Sequence, residues 1–391
     1  MIKNVSVIGA GTMGREIAQV ILMGEYDLTF YDIDEESLRK AELFIKENLL
    51  KLERKEKLSS QLTAKQLLKN LKKESTLENA VKNSDIVIEA IPEIMELKQD
   101  LFNKLGELTS EHTILASNTS NMRITDIASK SQKPEKIVGM HFFTPIVVLP
   151  AIELVKGEQT SEDTMKIAEE FAKSLPCIRG KRKIIKIEKE TPGFVVNRIT
   201  GVSSVYLMWL LEQAEERNIP HEQIDADVIK MQGGGLGPFA KWDFLGLDVI
   251  LHSFEYYKKT LSEELDPPDY FKNLVKQGKL GRKTGEGFYE WTDKNIPKAD
   301  FSKTANMFNP ELYMAIQLNE GCRLLEEEVL DSYKDVDNAI VAAMNMPGPF
   351  SAGKRHYKKW VELLEDFVKK SGLTYFKPCK LLVSGEFLNM K

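Results

Sequence analysis

Two groups of residues in this chain have types and spacings suited to chemistry. His141 opens the run His141-Phe142-Phe143-Thr144-Pro145, and Glu153 stands twelve residues later in AIELVKG. Upstream, VSVIGAGTMG ends in Gly9-Ala10-Gly11-Thr12-Met13-Gly14. A histidine, with an unperturbed pKa of about 6.5, accepts a proton readily near neutral pH. A carboxylate on its other ring nitrogen fixes the tautomer and stabilises the imidazolium. The glycine run suits a dinucleotide: the first glycine makes a tight turn, the second lets a pyrophosphate approach the backbone, and the third lets a helix pack on a strand. The phosphates then meet free N–H groups at the helix start. A dinucleotide and a proton acceptor together are what oxidation of a secondary alcohol needs, since hydride leaves carbon as a proton leaves oxygen.

Those residues must be delivered by particular elements. Val5, Val7 and Ile8 lead into the glycines, and Ile17, Val20 and Ile21 follow at helical spacing, so the segment reads as strand, turn and helix. A second strand, YDLTFYD, ends at Asp32, where a carboxylate accepts hydrogen bonds from the adenosine ribose and repels a 2′-phosphate, favouring NAD over NADP. SDIVIEAIPE predicts a buried parallel strand at Ile86 to Ile88, and HTILASNTS another at Thr113 to Ser117. KIVGMHFFTP is a further strand, which brings His141 to the carboxyl edge where doubly wound sheets hold ligands. That placement, beside two aromatics that exclude water, separates His141 from His112, His221, His252 and His356, which read as ordinary core or surface residues. Glu35 to Lys73 is charged and helical in period, and its length predicts a protruding pair of helices. Within it, Lys51, Arg54, Lys55 and Lys57 suit an anionic ligand such as a CoA phosphate; a solvated face balanced by Glu53 and Glu56 is the competing reading.

Composition narrows the function classes. The 391 residues are 42% hydrophobic and 29% charged, which suits two or three globular domains. A net charge of -5 argues against a nucleic-acid surface. Cys177, Cys322 and Cys379 form no CxxC pair and no disulfide framework, and no apolar run reaches membrane-spanning length. A cytoplasmic protein without membrane contact is expected. Scattered histidines and the absence of HExxH give no metal site.

Beyond residue 190 the pattern turns helical. Thr191-Pro192-Gly193-Phe194 is a turn before VVNRITGVSSVYLMWLLEQAEE, with Asn197 in the first helical turn, facing a cleft or serving as a local cap. Met231 to Phe239 is a glycine-rich loop, but no strand precedes it and Pro238 interrupts any second nucleotide motif. TDKNIPKADFSKTANMFNP reads as a linker. After it, LNEGCRLLEEEVLDSYKDVDNAIVAAMNMPGPF echoes VYLMWLLEQAEERNIPHEQIDADVIKMQGGGLGPF, pairing Leu324-Leu325-Glu326 with Leu210-Leu211-Glu212, Asp337 with Asp225, and Gly348-Pro349 with Gly237-Pro238. The same alignment sets Glu311 opposite Asn197, so the second copy lacks that asparagine and reads as catalytically silent.

GAGTMG, DIVIEAIPE, ASNTS, GMHFFTP, ETPGFVVNR, GLGPFAKWDFLGLD and GRKTGEGFYEW occur in the order and spacing of the 3-hydroxyacyl-CoA dehydrogenase family, which the chain resembles over residues 1 to about 291. The resemblance implies an α/β Rossmann-like N-terminal domain with a parallel sheet (1–188) and a helical domain (189–291). With a linker (292–304) and the repeat (305–391), the expected fold has two all-α domains related by internal duplication. It implies NAD as cofactor and an acyl-CoA thioester as substrate, with the reacting carbon held in a cleft between the domains. His141 is then the general base, Glu153 its orienting partner, and Ser117 and Asn197 hydrogen-bond the substrate oxygen. Glu93, Lys98 and Asn118 fall at cofactor positions. Thr144 departs from the asparagine of HFFNP, keeping a hydroxyl but losing the reach of an amide. The competing readings are a dehydrogenase of a hydroxy acid not linked to CoA and a non-catalytic NAD- or CoA-binding protein. Single-copy relatives pair helical domains in a dimer, so the repeat implies a monomer with an internal pseudo-two-fold, or else a homodimer.

Overall fold

A computed structural model describes residues 2–58, 61–232, 234–292, 297, 300 and 302–390, with the side chain of residue 232 left aside. Gly233 of the glycine-rich loop and residues 293–296, 298–299 and 301 of the linker 292–304 lie outside the described residues. By contacts the chain divides into a first unit (Met1–Phe194, Glu328–Leu330, Asp335–Gly348) and a second (Val195–Glu327, Asp331–Lys334, Pro349–Lys391).

The first unit is built on eight strands: β1 (Asn4–Ile8), β2 (Asp27–Tyr31), β3 (Leu71–Lys73), β4 (Ile86–Glu89), β5 (Ile114–Ser117), β6 (Ile137–Phe142), β7 (Ala151–Lys156) and β8 (Lys183–Ile187). They form one sheet in the order β3-β2-β1-β4-β5-β6-β7-β8. Ile86, Val87 and Ile88 are all buried, as a strand covered on both faces requires. The helices of this unit are α1 (Thr12–Met23), α2 (Glu35–Arg54), α3 (Ala64–Leu67), α4 (Leu77–Val81), α5 (Met95–Leu108), α6 (Ile124–Ala128) and α7 (Glu162–Ser174).

Two expectations need correction. The sheet is not wholly parallel: β6 and β7 run antiparallel, while β7 and β8 are parallel. Residues 143–150, which join β6 to β7, are too few for the crossover helix a parallel pair demands. Nor does Glu35 to Lys73 form a protruding helix pair. Leu38, Ala41, Ile45 and Leu49 of α2 are buried in the core, α3 is a single turn, and the chain rejoins the sheet as edge strand β3. Charged residues outnumber apolar ones here, but the apolar ones keep one face of α2 inward.

The second unit is helical. Its segments run α8 (Val196–Glu216), α9 (His221–Gln232), α10 (Pro238–Leu245), α11 (Leu247–Thr260), α12 (Asp269–Lys276), α13 (Pro310–Glu326), α15 (Pro349–Gly353), α16 (Tyr357–Ser371) and α17 (Lys380–Ser384), while α14 (Tyr333–Met344) is grouped mostly with the first unit. Helices α8 and α13 pack together, and a buried ionic group joins them. Arg198 (2% exposed) bonds Glu320 (1%) and reaches Glu327 at 2.9 Å, while the Tyr375 hydroxyl donates to Glu320 at 2.9 Å. Among the described residues no helix is long and apolar enough to cross a membrane.

Candidate active site

His141 and Glu153 are a directly opposed pair in the antiparallel ladder of β6 and β7. Cross-strand neighbours share a face, so a separation of twelve in sequence becomes side-chain contact. His141 Nδ1 lies 2.7 Å from Glu153 Oε2, with His141 only 5% exposed and Glu153 fully buried. The Nδ1–H therefore donates to the carboxylate, which leaves Nε2 as the basic nitrogen. The rings of Phe143 and Phe194 stand 4.4 and 6.0 Å from the imidazole. Phe142, expected beside His141, instead lies in the core, because neighbouring strand residues face opposite ways. Asn118 supports the same strand, its Oδ1 accepting the Phe142 N–H at 3.0 Å.

Three strands away the glycine turn has the geometry its residues suggest. Gly9 has φ 101°, and a Cβ there would lie 2.5 Å from the Ala90 carbonyl oxygen; at Gly14 a Cβ would meet the Gly9 carbonyl oxygen at 1.8 Å. A Cβ on Gly11 would have no protein atom within 4 Å, so the second glycine faces open space. Helix α1 starts there without a side-chain cap, so Gly11, Thr12 and Met13 lie at a helix N-terminus suited to phosphate, while the Ala10 N–H is taken by Asp32. Asp32 accepts the Ala10 N–H at 2.5 Å and the Asp34 N–H at 2.9 Å, bracing the turn from the end of β2.

Ser117 ends β5 fully buried, donating its hydroxyl to Glu89 Oε2 at 2.6 Å and accepting the Thr119 N–H at 3.2 Å. Lys98, 1% exposed, donates to Glu89 at 2.6 Å and approaches Glu93 at 3.1 Å. Burial on its own would lower the Lys98 pKa, but Glu89 and Glu93 outweigh it and the ammonium is held above its usual range. Burial likewise opposes ionisation of Glu93, and Lys98, with help from Thr119 and Ser120, reverses the balance and lowers its pKa. Sequence reasoning did not single out Glu89; a carboxylate closing an otherwise apolar strand was the available signal.

Thr144 donates to Glu16 Oε1 at 2.9 Å, and the other oxygen of Glu16 accepts the Ile146 N–H at 2.8 Å. Helix α1 thereby holds the loop that follows His141. Glu16 gave no sequence signal, since it reads as one more polar residue on a helix. Lys51, Lys55 and Lys57 are exposed near the end of α2 and form no ion pair among the described residues. In the second unit Asn197 is half-buried in the first turn of α8, where its carbonyl accepts the Tyr257 hydroxyl at 3.2 Å. The N-cap of α8 is Val195, so Asn197 is not a local cap.

Residues 4–186 match the family model described as 3-hydroxyacyl-CoA dehydrogenase, NAD binding domain, and residues 193–291 match the C-terminal domain of that name. Hydroxyacyl-coenzyme A dehydrogenase, mitochondrial, of Rattus norvegicus is 35% identical over 297 residues, covering 74% of this chain and 92% of the relative. A probable 3-hydroxybutyryl-CoA dehydrogenase of Deinococcus radiodurans is 35% identical over 73% of this chain and 99% of its own length. Among solved structures, the (S)-3-hydroxybutyryl-CoA dehydrogenase of Ralstonia eutropha is 32% identical with a TM-score of 0.65, covering 75% of this chain and all of that one. The 3-hydroxybutyryl-CoA dehydrogenase of Escherichia coli has the same fold over 100% of this chain, with TM-score 0.82 at 24% identity.

Proposed function

Because the chain belongs to the 3-hydroxyacyl-CoA dehydrogenase family and is an NAD-dependent oxidoreductase of 3-hydroxyacyl-CoA, we propose the residue roles that follow. His141 Nε2 takes the proton of the 3-hydroxyl group, and in the reverse direction returns it to the 3-oxo oxygen. Glu153 holds Nδ1–H and offsets the charge of the imidazolium. Phe143 and Phe194 keep water from the ring and so strengthen that interaction. NAD, when bound, accepts the hydride from the alcohol carbon. The glycine turn and the start of α1 receive its pyrophosphate, and Asp32 its adenosine ribose, with Glu93, Lys98 and Asn118 at the same edge. Asn197 hydrogen-bonds the substrate oxygen, and Lys51, Lys55 and Lys57 offer charge to a CoA phosphate.

The observation that carries this reading is the 2.7 Å contact between buried His141 and Glu153 at the carboxyl edge that also carries the glycine turn. Short-chain thioesters are the proposed preference, since several relatives are named for 3-hydroxybutyryl-CoA. The test is NADH production from a series of (S)-3-hydroxyacyl-CoA thioesters and from the free hydroxy acids, with NAD and NADP compared. Equal kcat/KM for free acids would overturn the thioester reading.

We also propose that residues 305–391 duplicate the helical domain 189–291. Both copies run long helix, twelve-residue helix, short proline-started helix, long helix, three-residue 3-10 turn and closing helix, as α8 to α12 and again as α13 to α17. In each, an aspartate presses on the glycine before the next helix. A Cβ on Gly237 would lie 2.1 Å from the Asp225 carboxyl carbon, and one on Gly348 would lie 2.3 Å from that of Asp337. Leu265 and Phe376 are buried in the matching 3-10 turns. Glu311, opposite Asn197 in the repeat, is paired with Lys359 at 2.5 Å, which suits a structural copy.

A further inference from the structure

Two carboxylates surround one ammonium at the carboxyl end of β4. Lys98 bonds Glu89 at 2.6 Å and Glu93 at 3.1 Å. The second oxygen of Glu89 accepts the Ser117 hydroxyl at 2.6 Å, and Glu93 accepts the Thr119 hydroxyl and, at 2.9 Å, the Ser120 N–H. Glu89 and Lys98 are buried, and the Glu93 side chain is 25% exposed. These bonds hold the cluster together from within, yet it carries a formal surplus of one negative charge. Away from water that charge acts over a longer distance than on the surface.

Sheet order identifies the part of a dinucleotide closest to it. Asp32, the glycine turn, Glu89 and Ser117 follow or end the successive neighbours β2, β1, β4 and β5, and His141 lies on the next strand, β6. Neighbouring strands are about 4.8 Å apart. With adenosine ribose held by Asp32 and pyrophosphate by the glycine turn, the nicotinamide half of a bound dinucleotide would meet the ends of β4 and β5 next, on the side of His141. The nicotinamide ring is a cation in NAD+ and neutral in NADH, so a charge placed there discriminates between the two.

We propose that the Glu89-Lys98-Glu93 cluster is a redox-state discriminator, whose surplus negative charge tightens NAD+ relative to NADH and so favours release of the reduced cofactor. The inference rests on the NAD-site reading given above. Ser117 has a matching part in it: with its hydroxyl hydrogen donated to Glu89, it is a positioning residue that keeps the end of β5 on the cluster.

The test compares dissociation constants for NADH, followed by nicotinamide fluorescence, and for NAD+, measured by displacement of NADH, in the intact protein without substrate. Contacts common to both forms cancel in the ratio Kd(NAD+)/Kd(NADH), which isolates the ring charge. Glu89→Gln and Glu93→Gln each remove one negative charge, and each is expected to raise that ratio on the order of tenfold. Asp32→Asn removes an equal charge at the adenosine end and is expected to weaken both constants by a similar factor. Glu93, at the rim, supplies the measurement should Glu89→Gln fail to fold. A ratio unchanged within about twofold in folded Glu93→Gln, or one that moves as far in Asp32→Asn, overturns the proposal. Loss of all dinucleotide binding by the unaltered protein would instead defeat the underlying site reading.

Discussion

His141 and Glu153 illustrate how a residue pair becomes a device through one register. They face each other only because β6 and β7 are antiparallel with 141 opposite 153; a slip of one residue would turn Glu153 to the other face. Replacing His141 with Gln is expected to lower kcat by about 10²- to 10⁴-fold and to leave NADH affinity within about twofold, measured by steady-state kinetics and fluorescence titration. Thr144 is a different case. Its hydroxyl serves Glu16, so Thr144→Val should cost about 1 kcal/mol in denaturant unfolding, with little change in KM for the thioester. A large KM change with unaltered stability would show that the hydroxyl meets substrate instead. Types and spacing were enough to single out His141, Glu153 and the glycines. They were not enough for Glu16 or Glu89, because an isolated glutamate in a chain with this much charge gives no signal until packing buries it.

Among the elements, α10 depends most plainly on another helix for its start. Asp225 of α9 accepts the N–H groups of Phe239 and Ala240 at 2.9 and 3.1 Å and the Tyr289 hydroxyl at 2.7 Å. Burial pushes the Asp225 carboxyl up to about 6, partly resisted by those three hydrogen bonds. An acid whose folded pKa exceeds its unfolded value holds extra protons when folded, so its contribution is present below about pH 4 and is lost as pH rises through about 6. The unfolding free energy of the unaltered protein minus that of Asp225→Asn should therefore fall by up to about 3 kcal/mol between pH 4 and pH 7. A difference independent of pH would refute the shift. Strands β1, β2, β4, β5 and β6 were legible from apolar runs closed by turns. Edge strand β3 was not, because Leu71–Lys73 is short, mostly exposed and charged.

For the whole molecule, the duplicated helical segment predicts behaviour in solution. If α13 gives α8 the packing that another chain would otherwise supply, a dilute solution of this chain should scatter light as a monomer of about 44.5 kDa. A stable dimer would contradict that. The buried Arg198 and Glu320 cross between the two proposed copies, and Arg198→Met should cost on the order of 3 kcal/mol in unfolding, since it strands a buried carboxylate. Changing both residues to apolar ones should recover part of the loss. The amino-acid order by itself determined the family and the cofactor class, and it located the glycine turn at the start of α1 and the strand that carries His141, because those rest on local patterns of glycine, β-branched runs and strand-terminal polar residues. Tertiary structure alone decided the antiparallel reversal at β7, the Phe194 contact on His141, the Glu16 brace on Thr144 and the buried charges around Lys98. Each of those is a long-range pairing, in which burial and hydrogen-bond geometry between distant residues select a partner that no neighbour in the chain announces.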